Sequence, residues 1–369
     1  MSRIAIIGAG ITGVTTAHAL AQCGHHVTVF ERHRYAAMET SFANGGQLSA
    51  SNAEVWNSMA TVLKGLRWMF TRDAPLLLNP VPTWHKYSWM GEFLRQIPHY
   101  RANTVETVRL AIAAREHLFS IAEQEGIDFD LERRSELQRI EPTLHGDFYG
   151  GFFTPSDSTG DIHKFTRGLA DACARHGVQF HYDAEIMSIE QPAEGRFSLT
   201  AHLEGETQRF GFERIVVCAG VKSRDFAAML GDHVNVYPVK GYSITVCLDD
   251  ATSRQRAPWV SLLDDSAKIV TSRLGADRFR VAGTAEINGF NRDIRSARIA
   301  PLVDWTRRHF PEVSTARVIP WAGLRPMLPS MLPKVGRGKR RGVFYNTGHG
   351  HLGWTLSAAT AQAVARAIE

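Results

Sequence analysis

Apolar and polar positions in the first 31 residues follow the pattern of one strand–helix–strand unit. The apolar run Ile4–Ile7 stops at Gly8, as a buried parallel strand does at its carboxyl end. A helix is predicted over residues 11–23, with Gly24 as its end signal, and a second strand over residues 26–31. The amino-terminal segment is therefore predicted to begin a parallel α/β sheet.

Later segments repeat this pattern or show the period of an antiparallel sheet. Residues 161–182 are predicted to form an amphipathic helix followed by a strand, and RIVVCAG at 214–220 a further buried strand. Residues 234–290 alternate apolar and polar side chains, as antiparallel strands do. The last apolar run, at 342–348, predicts a strand that leads into a carboxy-terminal helix.

One long amphipathic helix is predicted between these blocks, over residues 101–126. Gly126 provides its end signal. The apolar side chains expected to form its buried side are Val105, Val108, Ile112 and Leu118.

A tryptophan-rich block at residues 54–100 holds four of the eight tryptophans and is interrupted by four prolines. Three interpretations stay open: buried core of a second domain, a lid over a cofactor, or a surface that docks on a membrane. The third rests on an interleaving of aromatic and basic residues that is typical of membrane interfaces. The residues concerned are Trp56, Trp68 and Trp89 with Lys64, Arg67 and Arg72.

The order of the elements predicts an α/β protein of two domains. A Rossmann-like domain would be assembled from residues 1–53, 140–235 and 318–369. The inserted blocks, residues 54–139 and 236–317, would build an α+β substrate domain on a mostly antiparallel sheet.

The composition is that of a globular protein large enough for two cores, with 369 residues, 44% hydrophobic and 21% charged. A net charge of +5 without a concentrated basic arm argues against nucleic acid as a partner. The first residues lack a secretory signal pattern and no apolar run is long enough to cross a bilayer, so a cytoplasmic location is expected. Four cysteines without C-x-x-C spacing are expected to be buried thiols: Cys23, Cys173, Cys218 and Cys247.

The strongest motif is G-x-G-x-x-G at residues 8–13, between the first strand and the first helix. Gly8 would permit the tight turn, Gly10 the approach of a pyrophosphate, and Gly13 close packing of helix on strand. The positive end of the helix dipole would face the anion. Glu31 ends the next strand, where a carboxylate accepts hydrogen bonds from an adenosine ribose, so a dinucleotide without a 2′-phosphate is predicted.

A second match, GHGHLG at residues 348–353, also follows an apolar strand. Too few residues remain after it to build another dinucleotide unit. Its helix start would instead face the pyrimidine edge of a flavin, where negative charge collects on reduction. This favours FAD over NAD, although a plain strand-to-helix turn remains the alternative.

Together these segments resemble the FAD-dependent amine and D-amino acid oxidoreductase superfamily, and most closely the bacterial D-amino acid dehydrogenases of the small-subunit type. The similarity covers nearly the whole chain. Besides the two glycine turns, it rests on SFANGGQLS at 41–49, TPSDSTGDIHKF at 154–165, VVCAG at 216–220, PVKGYS at 238–243, GLRPMLP at 323–329 and NTGHGHLGWTLS at 346–357.

The resemblance implies a non-covalently bound FAD whose flavin ring lies at the junction of the two domains. Matched position by position, it gives contacts to the ADP portion, the pyrophosphate, the adenine and the flavin ring. These contacts are Gly8, Ala9, Gly10, Ile11, Thr12, Gly13, Glu31, Arg32, Ser41, Asn44, Gly45, Gly46, Gln47, Leu48, Ile186, Ala219, Gly220, Gly323, Gly348, His349, Gly350, Leu352, Gly353 and Thr355.

The implied reaction is oxidation of a D-amino acid to an imino acid, which water hydrolyses to a 2-oxo acid and ammonia. Hydride passes from Cα to flavin N5, and the electrons leave to a quinone or another acceptor. Arg325 would hold the substrate carboxylate, because a planar guanidinium binds carboxylates through two hydrogen bonds. His351 would adjust amine protonation or line the pocket, Tyr242 would reach the pocket rim, and no metal site is expected. Relatives of this kind resemble peripheral respiratory enzymes, which implies a possible contact with the inner face of the cell membrane.

Several alternatives stay open at this stage. Within the same superfamily they are an oxidase that reduces O2 and an L-specific or imino-acid dehydrogenase. Outside it they are an NAD-dependent dehydrogenase, which would be colourless, and a non-catalytic FAD-binding protein, whose yellow colour no amino acid would bleach.

The chain also departs from the family pattern at one place. Relatives carry a longer stretch between the segments that match GIDFDLERR and ELQRIEPTL, whereas here Arg134 is followed directly by Ser135. Any role that the family gives to the longer stretch is therefore not expected to carry over.

Overall fold

A computed structural model of the chain describes residues 1–68, 74–129, 141–146 and 153–369; the junction of Arg134 and Ser135 lies outside the described residues. The helices are α1 (Ile11–Gln22), α2 (Met59–Trp68), α3 (Trp84–Arg95), α4 (Tyr100–Glu125), α5 (Ile162–Arg175), α6 (Ser223–Met229), α7 (Ala251–Arg256), α8 (Ser296–His309) and α9 (Gly353–Ile368). The strands are β1 (Arg3–Ile7), β2 (His26–Phe30), β3 (Gln47–Leu48), β4 (Leu76–Leu78), β5 (Ser158–Thr159), β6 (Gln179–His181), β7 (Glu185–Ala193), β8 (Arg196–Leu203), β9 (Glu206–Phe212), β10 (Arg214–Val217), β11 (Tyr237–Cys247), β12 (Leu263–Asp264), β13 (Ile269–Leu274), β14 (Arg278–Ile287), β15 (Val318–Met327), β16 (Lys334–Arg337) and β17 (Val343–Thr347).

The first sheet has the strand order β16-β17-β10-β1-β2-β6, and all of its neighbours are parallel except β16 and β17. Helices α1, α5 and α9 cover one face, where their apolar side chains form a continuous core with β1 and β2. The antiparallel sheet β7-β8-β9 covers the other face together with α6. The prediction of a parallel α/β sheet from the start, middle and end of the chain is confirmed, whereas the β7-β8-β9 sheet was not predicted.

The second sheet has the order β12-β13-β14-β11-β15, antiparallel throughout, with β4 added parallel to β14. One face packs on α8, where Ile244, Val281 and Leu302 belong to one buried cluster. The predicted mostly antiparallel sheet is therefore confirmed. Its other face looks towards the first sheet.

Strand β15 differs from the predicted domain division, which placed it with the Rossmann-like elements from residue 318 onward. It pairs with β11 over ten positions, from Tyr237 opposite Met327 to Val246 opposite Val318. Sequence patterns could not reveal this, because β11 and β15 are far apart in the chain and their pairing depends on tertiary structure.

The long helix α4 has the predicted length, and its carboxyl end is capped by Gly126 in the left-handed conformation, with φ of 64°. The predicted buried side is wrong in part. Val105 and Ile112 are exposed, while Ala111 and Ala114 are buried where α4 packs on α9. Small side chains allow that close approach, and a pattern search that weighs only large apolar residues misses them.

The tryptophan-rich block has no single environment. Trp89 is buried and its Nε1 donates to the Met327 carbonyl at 2.8 Å, whereas Trp84 is 82% exposed. Trp56 and Trp68 lie at the wall of a large cavity. No helix of the described residues is both long and apolar enough to cross a membrane.

Among the cysteines, Cys173, Cys218 and Cys247 are buried as predicted, but Cys23 is exposed. The prediction for Cys23 was wrong because this residue follows the last turn of α1, where the chain leaves the core.

Candidate functional site

A cavity of about 940 Å³ lies between the two sheets. It extends from the turn after β1 to the face of the second sheet that α8 leaves uncovered. Its wall contains every predicted cofactor contact except Ala9, Gly13 and Leu48, and it also contains Arg325, His351 and Tyr242. The structure thus brings together residues from widely separated parts of the chain.

The turn between β1 and α1 is built by close backbone approaches. Gly8 has φ of 103°, and a Cβ there would lie 2.7 Å from the Cys218 carbonyl oxygen. A Cβ on Gly13 would overlap the Gly8 carbonyl oxygen. No side chain caps the start of α1, although Ser41 Oγ accepts from the Ile11 N–H at 3.0 Å. The helix start therefore faces the cavity as a site for an anion.

Glu31 lies beside this turn and is buried. One of its oxygens accepts from the Ala9 N–H at 2.7 Å and the other from the His33 N–H at 3.0 Å. Burial raises the pKa of Glu31 in spite of these bonds. Each carboxylate oxygen keeps a further lone pair, so a ribose hydroxyl can still donate to it.

Arg32 bonds Glu39, which also accepts from Arg292 at 2.8 Å and lies 2.7 Å from His33 Nε2. Burial would raise the pKa of Glu39, but Arg292, His33 and Arg32 hold it below its ordinary value. Arg292 follows β14, so this cluster connects the second sheet to the turn side of the cavity.

The loop from Ser41 to Ser49 is held by donors of the second sheet. Ser243 Oγ donates to the Ala43 carbonyl at 3.0 Å, Arg280 Nη1 to the Asn44 carbonyl at 3.1 Å, and Ser272 Oγ to the Gly45 carbonyl at 2.6 Å. Three successive carbonyls are thereby turned to the sheet and bonded. Leu48 belongs to the core beside α1 and does not line the cavity.

The turn before α9 is fixed on the end of β15. The Gly350 N–H donates to the Pro326 carbonyl at 2.9 Å, and His349 forms a bridge with Met327. The His349 ring is buried and its Nε2 lies 3.0 Å from Thr360 Oγ1. The His349 side chain therefore stabilises α9, and other atoms of the residue line the cavity.

Arg325 extends from β15 into the cavity wall. Its Nη1 is buried and has no hydrogen-bond partner among the described residues. Its guanidinium lies directly over Gly241, where a Cβ would overlap it. Burial lowers the pKa of Arg325 to about 10, so the group is still a cation at neutral pH. A guanidinium without an anionic partner among the described residues can bind a carboxylate.

His351 stacks on Trp56, with ring centroids 4.7 Å apart and an angle of 20° between the planes. Burial, followed by the positive charge of Arg325, lowers the pKa of His351 to about 3, while a bond to the Asn52 backbone opposes the shift. Nδ1 has no hydrogen-bond partner among the described residues. The ring is therefore neutral at physiological pH and offers one free ring nitrogen close to Arg325.

Tyr242 does not present its hydroxyl to the cavity as expected. The ring belongs to the core under α8, and the hydroxyl donates to the Asp293 carbonyl at 3.3 Å. A register shift between Gly241 and Tyr242 accompanies this arrangement. The geometry thus favours a structural role for the Tyr242 side chain. Gly323 lines the cavity as well, and the Trp321 ring lies over it.

Several cavity residues were not singled out from the sequence: Trp321, Trp354, Glu39 and Lys222. Trp354 Nε1 is buried without a hydrogen-bond partner in the described structure. Tryptophan in a strand or helix is more often core, so no sequence signal distinguished these positions.

The cavity fits the FAD that the resemblance implies. The glycine turn leaves the start of α1 open to a pyrophosphate, and Glu31 lies where a ribose would donate to it. At the other end, Trp354 Nε1 is a buried donor without a partner among the described residues. A long cofactor with phosphates at one end and polar ring edges at the other would satisfy these groups.

Burial lowers the pKa of His349 to about 3 from its ordinary value of 6.5. Below pH 6.5 the His349 imidazole binds a proton in the unfolded chain but not in the folded protein. The free energy of unfolding therefore decreases as the pH falls from 6.5 towards 3. The expected slope from this group is about 1.4 kcal/mol per pH unit.

Urea unfolding of the wild type and His349→Gln at pH 7.5, 6 and 5 tests this. The variant should lose less stability on acidification, and replacement of the exposed His202 by Gln is the surface control. Equal slopes for all three proteins would contradict the assignment.

Comparison with known sequences gives consistent relatives. A family model described as FAD dependent oxidoreductase matches residues 3–367. D-amino acid dehydrogenase 3 of Mesorhizobium japonicum is 60% identical over 402 aligned positions, covering 100% of this chain and 97% of the relative. The D-amino acid dehydrogenase of Paramagnetospirillum magneticum is 37% identical over 408 positions, covering 98% and 94%. Both alignments are longer than the 369 residues of this chain, so the relatives contain residues that have no counterpart here.

Solved structures share the fold at low identity. Glycine oxidase from Geobacillus kaustophilus superposes with a TM-score of 0.76 at 20% identity, covering 100% of this chain and 95% of that one. L-alpha-glycerophosphate oxidase from Mycoplasma pneumoniae, determined with FAD bound, gives a TM-score of 0.62 at 18% identity, covering 100% and 94%. These similarities support the architecture of two sheets with a cavity between them.

Proposed function

Because the chain belongs to the FAD dependent oxidoreductase family, we propose that it is an FAD-dependent D-amino acid dehydrogenase. The family match confirms the resemblance seen in the sequence, including FAD as the cofactor. The observation that carries the proposed substrate class is Arg325, a buried guanidinium with an unpartnered nitrogen at the wall of a cofactor-sized cavity. The names of the relatives support the D configuration.

Arg325 binds the substrate carboxylate and thereby sets the position of Cα. Two parallel N–H donors fix the plane of a carboxylate as well as its place, which a lysine does not do. The low polarity of the site strengthens the bond, because burial has already removed water from Nη1. Because the substrate is already held in this orientation, the reaction does not depend on a chance encounter in the right geometry.

The reaction removes two electrons and a proton from Cα as hydride, and the amine nitrogen loses a proton as the C=N bond forms. FAD, when bound, supplies the acceptor for that hydride. Water then adds to the imino carbon and ammonia leaves, which gives the 2-oxo acid. The protein has to hold the substrate, admit the neutral amine and exclude other nucleophiles from the cavity.

His351 receives a hydrogen bond from the substrate amine at Nδ1. The Trp56 stack holds the ring in place, and burial together with the nearby Arg325 charge keeps it unprotonated. A neutral imidazole can accept an N–H of the substrate amine and thereby positions the nitrogen for formation of the C=N bond. His351 is thus proposed as a residue that touches the substrate.

Since the pKa of His351 is about 3, kcat/KM for D-alanine should show no ionisation near pH 6.5. It should rise by a factor of ten per pH unit up to the pKa of the substrate amine. His351→Asn should lower kcat/KM about tenfold or more at each pH without changing the profile. Steady-state assays between pH 6 and 10 measure this. An inflection near 6.5 in the wild type that disappears in the variant would contradict a permanently neutral ring.

The two sheets have different roles in this proposal. The parallel sheet and its glycine turn bind the ADP portion of FAD, and the antiparallel sheet, which includes β15, presents the substrate residues. The cavity residues on the facing sides of the two sheets would hold the flavin ring. Residues 54–139 contribute α2 to the cavity wall.

A quinone is the proposed electron acceptor, reached by peripheral contact of α2 with a membrane. This helix exposes Met59 and Leu63 beside Lys64 and Arg67, a combination that binds anionic lipid surfaces. The wild type should co-sediment with vesicles that contain anionic lipid, and Leu63→Glu should reduce the bound fraction of the protein severalfold. Met187→Glu, at an exposed position on β7, is the matched control. Equal binding by both variants would contradict the α2 contact.

The proposed function is tested by an anaerobic absorbance scan of the purified holoenzyme with a panel of D- and L-amino acids. D-amino acids should bleach the flavin band and L-enantiomers should not. An oxygen electrode and a quinone analogue then identify the acceptor, with little O2 consumption expected. A flavin band that no D-amino acid bleaches would overturn the proposal.

A further inference from the structure

Two glycines form a strip without side chains on the cavity face of the second sheet. Gly241 on β11 and Gly323 on β15 are directly opposite each other. The Arg325 guanidinium covers Gly241, and the six-membered ring of Trp321 covers Gly323. All four residues line the cavity. The strip therefore carries a cation over one glycine and an indole over the other.

The geometry of the strand explains why these groups meet. Residues 321, 323 and 325 alternate along β15, so their side chains project from the same face. Trp321 and Arg325 lean from opposite ends towards the glycine pair. Directly opposed residues in an antiparallel sheet are roughly 5 Å apart, so the indole and the guanidinium lie over neighbouring backbone positions.

The two strands that carry this strip provide no second free charge. Besides Arg325, the only charged residue in β11 and β15 is Lys240. Its Nζ is 3.0 Å from Glu286 and 2.6 Å from Asn291 Oδ1, and it packs over the Tyr242 ring on the face towards α8. A substrate held at Arg325 therefore meets an indole surface here and no free charge on these two strands.

We propose that Trp321 is the wall against which the substrate side chain packs, and that it makes the enzyme prefer apolar side chains. This inference rests on the proposed function, because it uses Arg325 as the carboxylate anchor. With the carboxylate on Arg325, the rest of the molecule extends over the glycine strip to the indole. Trp321 is then a specificity-determining residue, and Gly323 gives its ring the space to lie flat.

The test uses straight-chain carboxylates from acetate to pentanoate. These compounds can bind at Arg325 and against Trp321, but the enzyme does not oxidise them. Their dissociation constants are measured from the perturbation of the flavin spectrum in the purified holoenzyme. In the wild type, each added methylene that reaches the indole should tighten binding about fourfold. In Trp321→Ala the gain should fall below twofold per methylene, while acetate binds within about threefold of the wild type. Trp321→Phe, which keeps an aromatic surface, should lie between the two.

Ile319→Ala is the matched control, because Ile319 is on the same strand, two residues away, and 54% exposed. It should reproduce the wild-type series. Turnover gives a second readout: the ratio of kcat/KM for D-leucine to that for D-alanine should fall at least fivefold in Trp321→Ala and stay unchanged in Ile319→Ala.

The possible failures are distinguishable. A series in Trp321→Ala as steep as in the wild type, with normal flavin content, would overturn the role of Trp321 and leave the proposed function intact. Failure of every carboxylate to bind the wild type, together with no bleaching by D-amino acids, would overturn the anchor and the proposed function as well.

Discussion

Replacement of Arg325 by leucine is expected to lower kcat/KM for D-alanine by about a thousandfold. The guanidinium lies over Gly241 with a buried, unpartnered Nη1, so in the variant the substrate carboxylate would lose both its counter-charge and its hydrogen-bond donors. Loss of one partner of a buried charge pair costs about 4 kcal/mol, which corresponds to roughly a thousandfold in rate. Arg325→Lys should recover part of the activity, because it keeps the charge but not the two parallel donors.

The measurement is a dye-coupled assay under anaerobic conditions, combined with acetate binding to the same preparations. Arg317→Leu is the control: Arg317 is an exposed arginine immediately before the same strand, and it pairs with Asp249 at the surface. The control should keep both activity and acetate binding. Retention of activity within threefold in Arg325→Leu would show that another group binds the carboxylate.

The parts of the fold that sequence patterns predicted are those set by local chemistry. The strand before Gly8 and the helix after it follow from an apolar run, a glycine turn and an amphipathic period, and the structure has them with the expected bounds. The antiparallel sheet likewise follows from alternation. Each of these features depends on residues that are close together in the chain.

What could not be predicted depends on distant partners. Residues 318–327 were placed with the Rossmann-like domain, whereas β15 pairs with β11 in the second sheet, and only that pairing reveals where the strand lies. The Tyr242 side chain was placed at the pocket rim, but it lies on the α8 face, beside a register shift after Gly241. Side chains alternate between the two faces along β11, so the position of Tyr242 depends on which face α8 covers, and the sequence of the strand alone does not reveal that.

The residues of the candidate site also fall into two groups, those that local motifs predict and those that depend on distant partners. The glycine turn, Glu31 and Arg325 belong to motifs with characteristic chemistry, and all but one of the turn glycines line the cavity. Trp56 and Trp321 have no such motif. Their relevance comes from what they contact, the ring of His351 and the backbone of Gly323. Aromatic residues acquire a role in a site only when the fold places them beside reactive groups.

Replacement of Gly13 by alanine is expected to remove most of the bound FAD. A Cβ at this position would overlap the Gly8 carbonyl oxygen, and Gly8 has little room to move because it lies against the Cys218 carbonyl. The strand and helix would have to separate, which moves the turn that faces the pyrophosphate. Overpacking of this kind also costs about 1–3 kcal/mol of stability. The ratio of flavin to protein absorbance after gel filtration should fall at least tenfold, and activity should fall with it.

Gly91→Ala provides the matched control, because Gly91 also lies within a helix, α3, and a Cβ there would meet no atom within 4 Å. Alanine favours helices over glycine by up to about 1 kcal/mol, so this variant should be as stable as the wild type or slightly more so. It should retain its full flavin content. If Gly13→Ala folds, as judged by circular dichroism, and still retains FAD at the wild-type ratio, then the close packing of α1 on the Gly8 turn does not shape the cofactor site. If it loses flavin while its secondary structure persists, the glycine turn is required for binding itself, because the protein folds without it.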